Sequence, residues 1–449
     1  MRIRRSTNLT EGVIWEQILF FAIPLFLTNF LQQLYNAADL VIVGQFAGKE
    51  AMAAVGATGS ISNMIIGMFM GLATGCSVVI AQKYGAGDYK GLYRAVHSAY
   101  CIAILGGIVL TIVGVIFTPN FLGWMGTPVE IIDDASKYMR LIFAGMIPLL
   151  MYNIAAGILR AVGNSRSPFF FLAFSVTCNI AMDLLFVAGF KMGVLGAALA
   201  TFIAQLLASL FITWHLCRRD TAYRLHIKQI RLYRDVVRQI ISIGIPAGLQ
   251  SSVISLSNVL IQTEINSFGP NAIAGIAAAG RIDGFNFTAL DAFAMAATTF
   301  SGQNLGAGLY DRVKKGARVS IGIVVLVSVT ISAIAIIFVY PLLGLFNQNA
   351  EVLEYGANFM LVLAPFYWIL GISQVMTGFV RGAGKSVLPM ISALTGMCVL
   401  RMIFIYGMLA VWHNVRVIAW AYPFSWFITF SINFVYYMWG KWMPKKVEA

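Results

Sequence analysis

The sequence predicts an all-α polytopic membrane protein whose twelve transmembrane helices form two six-helix bundles, a parallel internal repeat, around a central cavity. Three observations carry this expectation. Of 449 residues, 59% are hydrophobic and only 11% charged, against roughly 25% charged residues in a soluble domain. Apolar stretches of membrane-crossing length recur from end to end. Motifs of the first half also return, in order, in the second.

Crossing ~30 Å of hydrocarbon takes roughly 20 apolar residues. Twelve such stretches fit, at about 15–38, 51–78, 95–117, 138–159, 168–190, 193–216, 239–266, 272–300, 319–346, 356–380, 387–411 and 417–439. No soluble domain fits between them. Lysine and arginine set the orientation, because positive residues stay on the cytoplasmic side of short loops. With both termini inside, three fall in the N-terminal tail, three, two, seven, four and two in successive inner loops, and three in the C-terminal tail, out of 31. On this count Arg401 alone lies within a span. The expected location is the cell (inner) membrane, with both termini cytoplasmic.

The net charge of +13 then marks an inner face against anionic lipid. A nucleic-acid partner would need basic residues clustered on a folded domain, which this pattern excludes. The longest basic run, CRRDTAYRLHIKQIRLYRDVVR, joins spans 6 and 7 as a surface-lying, structural linker. It divides the chain into an N-terminal bundle (1–217), a linker (218–238) and a C-terminal bundle (239–449). Cys76, Cys101, Cys178, Cys217 and Cys398 lie in or at the ends of spans without a CxxC, so neither a disulfide framework nor a zinc site is expected. MRIRRSTNLTEGVIWEQ lacks a short apolar region with a small-residue cleavage site, so a cleaved signal peptide is not expected.

The repeat is explicit. IAQKYGAGDYKGLYRAV (80–96) aligns with FSGQNLGAGLYDRVKKGA (300–317), pairing Gln82 with Gln303 and Gly87 with Gly308. The same offset lays GILRAVGNSRSP (157–168) on GFVRGAGKSVLP (378–389), pairing Arg160 with Arg381 and Pro168 with Pro389. An even number of spans per copy leaves both copies in the same membrane orientation. Gly85 and Gly306 fall in short inner loops and are expected to make tight turns. A GxG there is no phosphate loop, because no GxxxxGK[ST], Rossmann pattern or nucleotide-holding domain accompanies it. Nor do paired carboxylates, a Ser/His/Asp set or an HExxH suggest an enzyme or a bound cofactor.

An ionised side chain at bilayer centre costs at least ~2.5–3.5 kcal/mol on insertion scales, so an acid there faces a cavity, binds an ion, takes up a proton or pairs with a base. Asp183 lies near the middle of span 5, and Asn179, four residues earlier, shares its helical face. Span 1 carries Asp39 in its outer half and Pro24, a kink that removes one backbone hydrogen bond. The bland alternative for Asp183 is a buried, permanently protonated acid bonded to a neighbouring carbonyl. For Asp39 it is a solvated helix end. At the repeat offset Asp183 falls on Phe404 and Asp39 on Leu260 or Ile261, so the acids are not duplicated. The second half has its own polar residues, Glu264, Asp283, Asp291 and Arg401, with an ion pair between Arg401 and one of these acids as open as direct ligand contact.

The pattern IPLFLTNFLQQLYNAADLVIVG, the loop AQKYGAGD, GILRAVGNSRSP followed by NIAMD, and GVLGAALATFIAQ together resemble the multidrug and toxic-compound extrusion (MATE) transporters over essentially the whole chain. The resemblance implies secondary antiport, in which a cationic or amphipathic organic compound leaves as Na⁺ or H⁺ enters. It also implies a cation site at Asp39, Asn179, Asp183 and Thr201, a hinge at Pro24, and a pocket lined by Gln32 and Tyr35, with Tyr138 and Asn153 as further candidates. Glu264, Asp283 and Asp291 are carried as second-half cavity candidates. Span 10 has no acid to complete a C-terminal cation site. The expected partners are the lipid bilayer and small organic cations, and the expected state is a monomer. The competing function is a lipid or lipid-linked-sugar flippase of a related fold, which calls for several arginines or lysines inside the spans.

Overall fold

The computed structural model describes residues 8–124, 127–218 and 220–443. The basic residues counted above within 1–7, at Arg219 and within 444–449 lie outside the described residues. Helices account for the expected spans one by one. They are α1 (Ile14–Phe46), α2 (Lys49–Gly85), α3 (Tyr89–Trp124), α4 (Val129–Ala144 and Met146–Ala161), α5 (Arg166–Gly189), α6 (Gly193–Arg218), α7 (Arg234–Asn266), α8 (Pro270–Gly306), α9 (Tyr310–Ile337), α10 (Ala350–Gly382), α11 (Val387–Val411) and α12 (Val415–Trp439).

Among the described residues ten helices are long and apolar enough to cross a membrane, and α4, two segments bent by 45°, supplies an eleventh. The remaining expected span is α8. Its 37 residues are ample in length at about 1.5 Å per residue, but Arg281, Asp283, Asp291 and many small residues keep it out of the ten most plainly apolar helices.

The turns carry the repeat. Gly48, Gly87 and Gly163 have φ of 91°, 65° and 88°, and their partners at the repeat offset, Gly269, Gly308 and Gly384, have 88°, 73° and 82°. The positive φ expected of Gly85 and Gly306 belongs to Gly87 and Gly308. Gly85 and Gly306 end α2 and α8 in helical geometry, and the chain reverses just after them.

Contacts divide the chain into two units, one of Leu27–Ile245, the other of Leu9–Phe26 with Pro246–Ala449. These limits differ from a division at 217 and 239. The start of α1 groups with the second unit, and the linker with the start of α7 groups with the first. Both changeovers fall beside a helix proline, Pro24 in α1 and Pro246 in α7.

The linker is held by specific bonds, as a structural segment should be. His226 and Tyr233 donate their backbone N–H groups to His97 Nε2 (3.1 Å) and Ser98 Oγ (3.0 Å) of α3, while Tyr223 and Leu225 are buried. In the second unit the segment before α1 is pinned likewise. Leu9 N–H donates to Gln303 Oε1 at 3.0 Å and Asn304 Nδ2 donates to Leu9 O at 3.1 Å, which gives the repeated glutamine a backbone-anchoring role.

Each unit has its own apolar core. In the first, α2, α3, α4 and α6 pack around Tyr100, Phe143 and Leu159. In the second, α8, α9, α10 and α12 pack around Phe300, Tyr367, Phe379 and Trp426. Small residues allow close helix approach. A Cβ at Gly75 of α2 would lie 2.5 Å from Ile240 O of α7, and one at Gly378 of α10 would lie 2.5 Å from Ala294 O of α8.

Candidate functional site

Four helices of the first unit converge on the expected cation site. Asp39 comes from α1, Tyr138 from the first segment of α4, Asn179 and Asp183 from α5, and Thr201 from α6. All five side chains are buried, Asn179 and Asp183 with 0% exposure. The wall behind them is apolar and tightly packed, built from Ile42, Val43, Val187, Val194, Ala197 and Ala198.

Within this pocket the hydroxyls are engaged, and of the four carboxylate oxygens only one is. Tyr35 donates to Thr201 Oγ1 at 3.0 Å, and Tyr138 donates to Asp39 Oδ2 at 3.5 Å, a long bond. Asp39 Oδ1, both oxygens of Asp183, and both Oδ1 and Nδ2 of Asn179 are buried without a hydrogen-bond partner. Asp39 is 7% exposed, buried rather than solvated at a helix end.

Leaving so many polar atoms orphaned in an apolar enclosure costs about 1–3 kcal/mol each for neutral groups and more for charged ones. Two carboxylates, an amide oxygen and hydroxyls are hard donors suited to a small hard cation, and either carboxylate also suits a proton. Immediately after Asp183 the helix widens into π-type turns over Leu184–Gly189, a distortion frequent at functional sites.

Beside this pocket, and sharing Tyr35 with it, lies a cavity of about 60 Å³ lined by Gln32, Asn153, Tyr152, Ser175 and Gln205 among others. Gln32, Tyr35 and Asn153 are thus brought together, while Tyr138 belongs with Asp39. Tyr152, Ser175 and Gln205 carry no signal distinguishing them from other helix polar residues.

The second-half candidates separate. Asp283 is buried and accepts a hydrogen bond from Tyr367 Oη. Glu264 lies beside Tyr406, half-buried. Asp291 lines a different, larger cavity of the second unit together with Arg381 and Arg401. Among the described residues Arg401 has no acid within ion-pairing distance. Its Nε donates to Ser425 Oγ at 2.8 Å and its guanidinium lies 4.7 Å from the Tyr422 ring centroid. Arg381, counted above with the inner-loop cations, is helical and faces the same cavity, so Arg401 is not alone inside the spans.

Comparison with known proteins bears on the fold and the family. The chain is 27% identical over 444 residues to the probable multidrug resistance protein YpnP of Bacillus subtilis, covering 99% of each. It is 25% identical over 388 residues to the probable multidrug resistance protein NorM of Thermotoga maritima, covering 84% of this chain and 82% of that one. An outward-facing structure of a multidrug resistance MATE family transporter superposes with a TM-score of 0.90 at 23% identity over 98% of both chains. The MatE family model matches residues 24–185 and again 246–407, once in each half of the repeat. A twice-written membrane fold of twelve helical spans and a double match to one family model lead to one conclusion: the chain belongs to the MatE family.

Proposed function

We propose that this protein is a secondary antiporter that exports cationic or amphipathic organic compounds in exchange for Na⁺ or H⁺, and that Asp39, Asn179, Asp183 and Thr201 bind the incoming ion. One observation carries the reading: five buried polar atoms on Asp39, Asn179 and Asp183 have no partner within the protein. A pocket so built is complete only when a cation or proton enters it.

Occupancy works through α1. Asp39 and Tyr35 lie on the part of α1 that groups with the first unit, beyond Pro24, whereas Leu9–Phe26 groups with the second. Drawing Asp39 toward Asp183 by a shared cation shifts that part of α1 relative to the part before the proline, where a backbone hydrogen bond is missing. The cavity bordered by Gln32, Tyr35 and Asn153 holds about 60 Å³, well below the ~300–1,000 Å³ of small-molecule sites. An organic cation therefore enters only after α1 moves.

The driving force suffices. One charge falling through ~100 mV yields ~2.3 kcal/mol, and a tenfold gradient adds ~1.4 kcal/mol. The test is efflux from proteoliposomes of Asp39→Asn and Asp183→Asn under Na⁺ and pH gradients imposed separately. Coupled efflux should fall by at least tenfold in both, and wild-type rates in both would sink the assignment.

A further inference from the structure

The second unit carries a partly open cavity of about 350 Å³, inside the ~300–1,000 Å³ range of small-molecule sites. Its wall shares no residue with the carboxylate pocket, and its charge has the opposite sign. Arg381 and Arg401 face one acid, Asp291, leaving the wall at +1. Among the described residues neither arginine is ion-paired.

Arg401 is only 2% exposed, yet it commits one nitrogen, Nε, to Ser425. Its two terminal nitrogens carry no hydrogen bond among the described residues. Arg381 donates from one terminal nitrogen to Gln250 Oε1 at 2.7 Å, and its Nε is buried without a partner. Asp291 has a single weak contact, from Gln374 Nε2 at 3.4 Å. A purely structural guanidinium in an apolar bundle would use its donors on protein oxygens. Arg401 instead emerges just after the π-type turns Leu394–Leu400 of α11 with its planar fork free.

That fork matches a carboxylate with two parallel bonds, and Phe287, Tyr422 and Trp426 supply an apolar wall beside it. We infer that the second unit binds a small organic carboxylate with an aromatic body, its carboxylate on Arg401 and Arg381 and its ring against Tyr422 and Trp426. Asp291 tunes the site. It opposes a plain anion and favours a zwitterion carrying an ammonium group at the far end.

The experiment is calorimetric binding to the full chain in lipid nanodiscs, with benzoate, its neutral isostere benzamide, and chloride as probes. Benzoate should bind at least about tenfold more tightly than either of the others, the usual worth of hydrogen bonds to a charged group. Arg401→Gln and Arg381→Gln should each weaken benzoate by about tenfold or more. Asp291→Asn should strengthen it by about threefold, the scale of one partly screened charge. Because Arg381→Gln and Asp291→Asn move the affinity in opposite directions, a general loss of folding cannot imitate the pattern even if Arg401→Gln proves unstable. Equal affinity for benzoate and benzamide would overturn the proposal, as would chloride binding more tightly than benzoate, or a weakened Asp291→Asn variant.

Discussion

At the scale of single residues, the pocket of the first unit gathers Asp39 and Asp183 with no ion-paired base among the described residues, whereas the cavity of the second sets Arg381 and Arg401 against one acid, Asp291. Asp39, Asn179 and Asp183 were legible because an ionisable or amide side chain in an apolar run has to be accounted for. Thr201, Tyr35 and Tyr138 were not legible in that way. A hydroxyl in a helix satisfies itself on the carbonyl four residues back, as Thr177 does on Ala173 at 2.9 Å, so nothing in composition separates a ligand from a bystander. Their placement came from the family resemblance. Arg381 was misread for a different reason: adjacent to a glycine-rich loop, it counted as a cytoplasmic cation, whereas α10 runs on through Gly382. Thr201 also offers a way to tell the ions apart. Thr201→Val removes one hard oxygen and strands the Tyr35 hydroxyl. Na⁺-driven efflux in proteoliposomes should fall about tenfold, and H⁺-driven efflux should stay within about twofold, since a proton needs only the carboxylate.

At the scale of elements, the changeover of α1 between units at Pro24 has a counterpart in α7 at Pro246. The first proline was read from the sequence as a kink. The second stands at nearly the repeat offset, but the acid further along its helix, Glu264, falls at the helix end and not at the position of Asp39, which the repeat gives to Leu260 or Ile261. Pro24→Ala restores a backbone donor to the helix. Efflux should drop about tenfold while the ion affinity of the Asp39 pocket, measured by calorimetry, changes by less than about twofold; equal losses in both would mean that the proline shapes the pocket instead. Pro246→Ala, on a helix that brings no carboxylate to the cation pocket, should slow efflux less.

A smaller element-level prediction concerns the start of α3. Asp88 accepts from Gly91 N–H at 2.8 Å and pairs with Lys83 at 3.0 Å, an N-cap that Leu309 does not provide to α9. The Gly91 N–H first, and Lys83 second, hold its carboxyl below the usual carboxylate range. A lowered native pKa stabilises above the unfolded value and is lost as pH falls through the native one. Asp88→Ala should therefore lower the thermal midpoint at neutral pH by roughly 1–2 °C, the equivalent of about 1 kcal/mol in a chain of this size, with the gap closing only below the ordinary carboxylate range.

At the scale of the whole molecule, duplication explains the scaffold and asymmetry explains the function. The three glycine pairs with positive φ at the repeat offset show that the turns were copied with their backbone geometry. The chemistry was not copied: π-type turns occur in both α5 and α11, but they follow Asp183 in one and precede Arg401 in the other. The parallel repeat also makes a demand on topology that can be measured. With the five cysteines replaced by alanine, single cysteines at Gly87 and Gly308 should both react with a membrane-impermeant maleimide from the cytoplasmic side. Cysteines at Gly193 and Asn414, which the repeat also pairs, should react only from outside. Labelling of Gly87 and Gly308 from opposite faces would mean an inverted repeat, and the positive-inside count would then have to fail in one half of the chain.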